Sequence, residues 1–137
     1  MFKMTLLPRF YETDAFGHVN NTVITGWFET AREPIFKIFT PNMIISDLPL
    51  ILARVEVDYV AQTHYGKPIE IITAIERMGN ASFIVTHAAY QDGTLVAKGK
   101  AVQVYFDFKL QKSLPIPAHY RAALEKLIPP LASTPAE

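Results

Sequence analysis

Between Thr22 and Phe39 apolar residues recur four apart, at Val23, Trp27, Ala31, Ile35 and Phe39, with Ile24 and Phe28 alongside. That spacing lays one wide apolar stripe along a helix and predicts a helix over residues 21–39. Asn20 or Asn21 supplies a cap at its start, and Pro34, which lacks a backbone donor, is expected to bend it. A first strand is expected over residues 3–11. Further on the period changes to two: Val55, Val57 and Tyr59 alternate with Arg54, Glu56 and Asp58. Three more strands are predicted near 68–78, 81–91 and 94–106, with hairpin signals at Gly79-Asn80 and Asp92-Gly93. A short helix over 117–127 closes a single domain of residues 1–128, and the Pro-rich tail 129–137 is expected to fray.

Two-residue turns in both hairpins would put Ile75 opposite Ile84 and Ala88 opposite Ala97. One sheet face then gathers Ile69, Ile71, Ile75, Ile84, Ala88, Leu95, Ala97, Gly99 and Ala101. The other mixes Glu70, Glu76, His87, Lys98 and Lys100 with Ile72, Phe83, Val85, Val96 and Val102. The strip Ala97, Gly99, Ala101 has almost no side-chain bulk, so the long helix can lie against it. The expected class is therefore α+β: one antiparallel sheet curled around one long central helix. An outer face carrying Phe83, Val85, Val96 and Val102 calls for cover, which predicts a homodimer or homotetramer.

Composition narrows the function classes. Thirteen Lys plus Arg balance thirteen Asp plus Glu in 137 residues, leaving no basic excess for a nucleic-acid backbone. The absence of cysteine excludes thiol nucleophiles, thiolate metal sites and disulfides. The four His residues have no metal-binding spacing, so neither a metal nor another cofactor is expected. No signal-peptide pattern and no membrane-spanning run is present, and a cytoplasmic protein is the expectation.

The chemistry concentrates in Arg9-Phe-Tyr-Glu-Thr-Asp-Ala-Phe-Gly-His-Val-Asn-Asn21 and in Trp27-Phe-Glu-Thr-Ala-Arg32. Asp14 precedes the helix in a Gly17-containing loop, so one short segment can present a carboxylate and the free N–H groups of a helix N-terminus. A carbonyl under nucleophilic attack can use that pair: donors where its oxygen turns negative, and a base or nucleophile at its carbon. The plain alternatives are that Asp14 forms a turn, that His18 bonds to backbone and that Asn20 and Asn21 cap the helix. Glu29 and Arg32, three apart, have the spacing of a helix-surface pair. Glu12, two residues before Asp14, is expected on the same side of the strand.

These segments resemble the strand-loop-helix signature of the 4-hydroxybenzoyl-CoA thioesterase family, within the hot-dog superfamily. Val57-Asp-Tyr-Val60, Tyr65-Gly66, Gly79-Asn-Ala-Ser-Phe83 and Val96-Ala-x-Gly99 extend the resemblance over most of the chain. It implies an acyl-CoA thioesterase that releases a carboxylic acid and free coenzyme A, with Asp14 in the carboxylate position as nucleophile or general base. The backbone N–H of Asn21 takes the place of the carbonyl-polarising donor. This chain departs from some relatives by having Asn21 where they carry His or Tyr, and His18 is the candidate helper. Tyr11 and Gly17 match substrate-side positions, and Arg77, Lys98 and Lys100 are candidates for coenzyme phosphates. The alternatives are an acyl-carrier-protein thioesterase and a non-catalytic acyl-CoA binder.

Overall fold

A computed structural model describes residues 1–130, and the tail expected from Pro129 lies almost wholly outside them. The main sheet runs β1 (Phe2–Leu6), β3 (Ile69–Met78), β4 (Ser82–Gln91), β5 (Thr94–Asp107), β2 (Leu50–Tyr59), antiparallel throughout. A two-residue β6 (Lys112–Ser113) pairs with β5. The sheet curls around α1 (Asn21–Ala31) and α2 (Glu33–Phe39), while α3 (Ala118–Glu125) packs near the far end of β3. This is the α+β hot-dog architecture. No helix among the described residues is long and apolar enough to cross a membrane.

The helix forms where its stripe predicts, but in two pieces. Asn20 caps α1, its Oδ1 accepting from Thr22 N at 3.1 Å. Pro34 cannot donate a backbone hydrogen bond, so the chain restarts as α2 with Pro in its first turn. The first strand is also shorter than expected. Pro8 follows the end of β1, and residues Phe10–Glu12 coil into a 3₁₀ turn.

The sheet registers differ from the expected ones by one residue on each side of β4. Ile75 pairs with Val85, because Glu76 bulges out and Gly79 N closes a wider turn onto Ser82 O at 2.7 Å. Asp92-Gly93 does form the two-residue turn, both residues having positive φ (53° and 74°). Beyond it an extra residue at Val96 places Ala97 opposite Ala89. A one-residue slip reverses every side chain of a strand. Phe83, Val85 and His87 therefore point inward and Ile84 and Ala88 outward. Phe83, Val85 and Val96 are all buried, so of the four residues expected on the apolar outer face only Val102 stays there, part-exposed and opposite Ile84.

On β5 the strip faces the helix as expected: Ala97 and Ala101 are fully buried, and Lys98 and Lys100 point away. A Cβ added at Gly99 would lie 2.9 Å from two ring atoms of Phe28 and 3.1 Å from Glu56 O. Only glycine fits without displacing the helix.

The registers align three inward rows across the sheet. Ile71, Ala89 and Ala97 floor one apolar cluster with Trp27 and Phe28; Ile75, Val85 and Ala101 floor a second with Ile35 and Phe39. Between them runs a row with two polar residues, Thr73, His87 and Gly99. His87 stacks on Phe28 with ring centroids 4.8 Å apart and shares a 2.9 Å hydrogen bond with Thr73 Oγ1. Arg32, at the joint between the helices, reaches the same ring, with Nη1 3.3 Å from His87 Nε2. Arg32 is 3% exposed, and its Nε has no partner among the described residues. The surface pair with Glu29 is not formed: Glu29 is exposed and acts on Arg32 only at longer range.

Burial first, and then the charge of Arg32, push the His87 pKa down from 6.5 to about 3. The neutral ring accepts from Arg32 at Nε2, so Nδ1–H donates to Thr73. Between pH 6.5 and about 3 the unfolded chain binds a proton here that the folded one refuses, so stability falls as pH falls through that window. The share of this one group is on the order of 2 kcal/mol over two pH units. Urea melts at pH 6.5 and 4.5 should show His87→Gln losing that much less than the parent. An unchanged pH slope in the variant would contradict the buried neutral His.

Candidate active site

The segment before α1 is a compact loop fixed at both ends. At its entry, Glu12 is buried rather than paired with Asp14 on a strand. Its Oε1 accepts from Arg9 N at 2.7 Å and its Oε2 from Trp27 Nε1 at 3.1 Å. A carboxylate with two donors is well satisfied, and it ties the loop entry to the inner face of α1. At the exit, Asn20 N donates to Glu12 O at 2.8 Å, and Thr13 bridges Val19.

Asp14 organises the loop between these ends. Its N donates to His18 O at 2.8 Å, and its O accepts from Gly17 N at 3.2 Å. Its Oδ1 accepts from Phe16 N at 2.8 Å and His18 N at 3.1 Å. Gly17 sits at φ +76°, a conformation that favours glycine. Asp14 is exposed, and its Oδ2 has no hydrogen bond to any described residue. The carboxylate is thus oriented through one oxygen and open at the other.

A second segment backs the loop. Val19 N donates to Thr63 O at 2.8 Å and Tyr65 N to Gly17 O at 3.2 Å, so residues 17–19 and 63–65 lie as a short antiparallel pair. The rings of His18 and His64 meet edge to face, centroids 5.2 Å apart.

The helix start lies immediately beyond. The Thr22 and Val23 N–H groups are taken by Asn20, whereas Asn21 N has no acceptor among the described residues. Tyr59 Oη donates to Asn21 O at 2.8 Å, fixing that first turn against the end of β2. Val19, Asn21, Ile24, Tyr59 and Thr63 line a cleft of about 430 Å³ there. A free N–H at the positive end of a helix, opening on a cleft, can polarise a carbonyl.

Other expected residues fall elsewhere. Tyr11 is exposed on the 3₁₀ turn, its Oη accepting from Arg9 Nη1 at 3.2 Å. Arg77, Lys98 and Lys100 are exposed on strands, with Lys98 and Lys100 on the face of β5 away from α1. Lys100 is paired with Glu76 at 2.8 Å, which raises its pKa. Among the described residues no group of three or more His, Asp or Glu side chains can hold a metal. Glu12 was missed as a support. Its spacing to Trp27 carried no helical or strand signal, since the partners are fifteen residues apart.

A sheet wrapped on a helix whose N-terminus lines a cleft, with the Asp14 loop just ahead of it in the chain and Asp14 itself outside the cleft lining, has the form of a hot-dog thioester hydrolase. Comparison with known proteins gives the family. Residues 8–124 match the model of the thioesterase-like superfamily, and the chain belongs to it. Among solved structures, a predicted thioesterase from Bacillus stearothermophilus is 40% identical, with a TM-score of 0.90 over 93% of this chain and 96% of that one. A thioesterase from Thermus thermophilus, complexed with coenzyme A and Zn, is 27% identical, with a TM-score of 0.82 over 91% and 92%. A gentisyl-coenzyme A thioesterase shares the fold at 22% identity, with a TM-score of 0.76 over 90% and 99%. Among curated proteins no sequence matches.

Proposed function

We propose that the chain hydrolyses acyl-CoA thioesters, with Asp14 as the acting carboxylate and Asn21 N–H as the donor to the thioester carbonyl. The observation that carries this is the construction of the site. Asp14 presents an open carboxylate oxygen from a loop hydrogen-bonded to itself, and three residues after the loop an unpaired N–H heads α1. Asp14 either takes the proton of an attacking water or attacks the carbonyl carbon itself. In both cases the carbonyl electrons move onto an oxygen held at Asn21 N–H, and collapse expels the coenzyme A thiolate; the first route yields the acid directly, and the second leaves a mixed anhydride on Asp14 that a water then hydrolyses to release the acid. His18 contributes through its backbone N–H, which orients Asp14.

Coenzyme A as the carrier is supported by the Thermus relative that binds it. The likeness to the 4-hydroxybenzoyl-CoA thioesterase family rests on Arg9–Asn21, Trp27–Arg32 and the segments that follow, and D-x-x-G-H-V-N-N at residues 14–21 resembles its broad acyl-CoA thioesterase branch. Lys98 has no ion-pair partner among the described residues and is the first candidate for a coenzyme phosphate; Lys100 would have to leave Glu76. A homodimer is proposed on new ground. The ten-residue β2 pairs only with β5, and its other edge is free among the described residues. Edges of that length are ordinarily covered, and a second copy of β2 would cover this one. A stable monomer by sedimentation at working concentration would remove that claim.

Asp14→Asn keeps size and turn-forming ability but removes basicity and nucleophilicity. With acyl-CoA substrates and a thiol reagent, kcat should fall by about 10²–10⁴-fold with little change in KM. Near-parental turnover by the folded variant would return Asp14 to a turn former. Release from acyl-carrier protein but not from acyl-CoA would change the carrier, and tight binding without release would make the chain a binder.

A further inference from the structure

Gln91, the last residue of β4, is 5% exposed and stands at an inward position after Phe83, Val85, His87 and Ala89. A buried amide needs partners, and every one of its bonds goes to the backbone of one irregular segment. Its Oε1 accepts from His64 N at 2.9 Å. Its Nε2 donates to His64 O at 2.9 Å and to Lys67 O at 3.0 Å. Beside it Lys67 Nζ meets Asp92 Oδ2 at 2.7 Å, so the tip of the β4–β5 hairpin grips residues 64–67 twice.

The geometry of that grip leads to Asp14. In an extended segment successive residues offer their N–H and C=O groups to opposite sides. Thr63 O and Tyr65 N face the Asp14 loop and bond to Val19 N and Gly17 O. His64 N and O face the other way, and the Gln91 amide fills the place a third strand would take. From residues 17–19 the path is one bond longer: His18 N donates to Asp14 Oδ1. The far side of the loop is fixed by Glu12 and Trp27, so Gln91 supplies the opposing anchor.

We propose that Gln91 is a positioning residue for the hydrolysis, holding residues 63–65 as the platform on which the Asp14 carboxylate is aimed. The proposal rests on the reading of Asp14 as the acting carboxylate. Gln91→Glu keeps the shape and the acceptor for His64 N but has no N–H to give, and it turns lone pairs toward His64 O and Lys67 O. Gln91→Met keeps the volume and removes all three bonds.

The test is a double-mutant cycle in kcat with Asp14→Asn, measured on acyl-CoA with folding checked by circular dichroism. In the parent background each Gln91 variant should lower kcat about 10–100-fold with KM within about twofold, as for a displaced catalytic group. In the Asp14→Asn background the same change should cost less than about twofold, because the group being aimed is already gone. A merely structural residue would lower kcat by the same factor in both backgrounds, and that result overturns the proposal. So does a folded Gln91→Glu with parental kcat, and so does collapse of both variants, which would make Gln91 a general support of the fold. The Asp14 reading fails separately, if Asp14→Asn alone retains parental turnover.

Discussion

Everything in this molecule depends on how deeply α1 sits in the sheet, and that depth is set where Phe28 lies on Gly99. The ring occupies the space a side chain on β5 would need, with Ala97 and Ala101 keeping the strand bare on either side. A helix seated this closely has its N-terminus carried to a fixed place, between the Asp14 loop and the end of β2, where Tyr59 locks onto Asn21 O. The same seating buries Trp27, whose ring nitrogen then finds Glu12 and fixes the entry to the loop. One small residue on a strand thus determines the position of a free N–H and of a carboxylate far earlier in the chain.

The core accepts a polar layer for the sake of that geometry. Where Pro34 breaks the helix, Arg32 enters the interior without a contacting carboxylate among the described residues, and burial lowers its pKa. A buried cation is costly, and here it is met by a neutral His87 that itself leans on Thr73. The layer separates two apolar clusters, and the first, with Val19, Ile24 and Trp27, lies toward the N-terminal end of α1.

Much of this was legible in the sequence. The four-residue stripe marked the helix, Asn20 its cap and the Ala97-Gly99-Ala101 strip its seat. The order of Asp14, Gly17, His18 and Asn21 marked the loop. What escaped has a common cause. The bulges at Glu76 and Val96 have no glycine or proline to announce them, yet each shifts register by one residue. Together they turned β4 over, which buried Phe83 and Val85 and took most of the expected apolar outer patch into the core. Arg32 had the spacing of a surface pair, but the helix break turned it inward. The Glu12–Trp27 and Gln91–His64 bonds join residues fifteen or more apart, which no local pattern encodes.

The central claim is that a thioester lies between the Asp14 carboxylate and the first N–H of α1. A crystal structure with an acyl-CoA analogue whose thioester sulfur is replaced by methylene tests it directly, because the carbonyl survives and cannot be hydrolysed. The account predicts the carbonyl oxygen about 3 Å from Asn21 N, with Asp14 reaching the carbonyl carbon directly or through one water. A carbonyl bound away from α1, with Asp14 Oδ2 turned to bulk solvent, would contradict it.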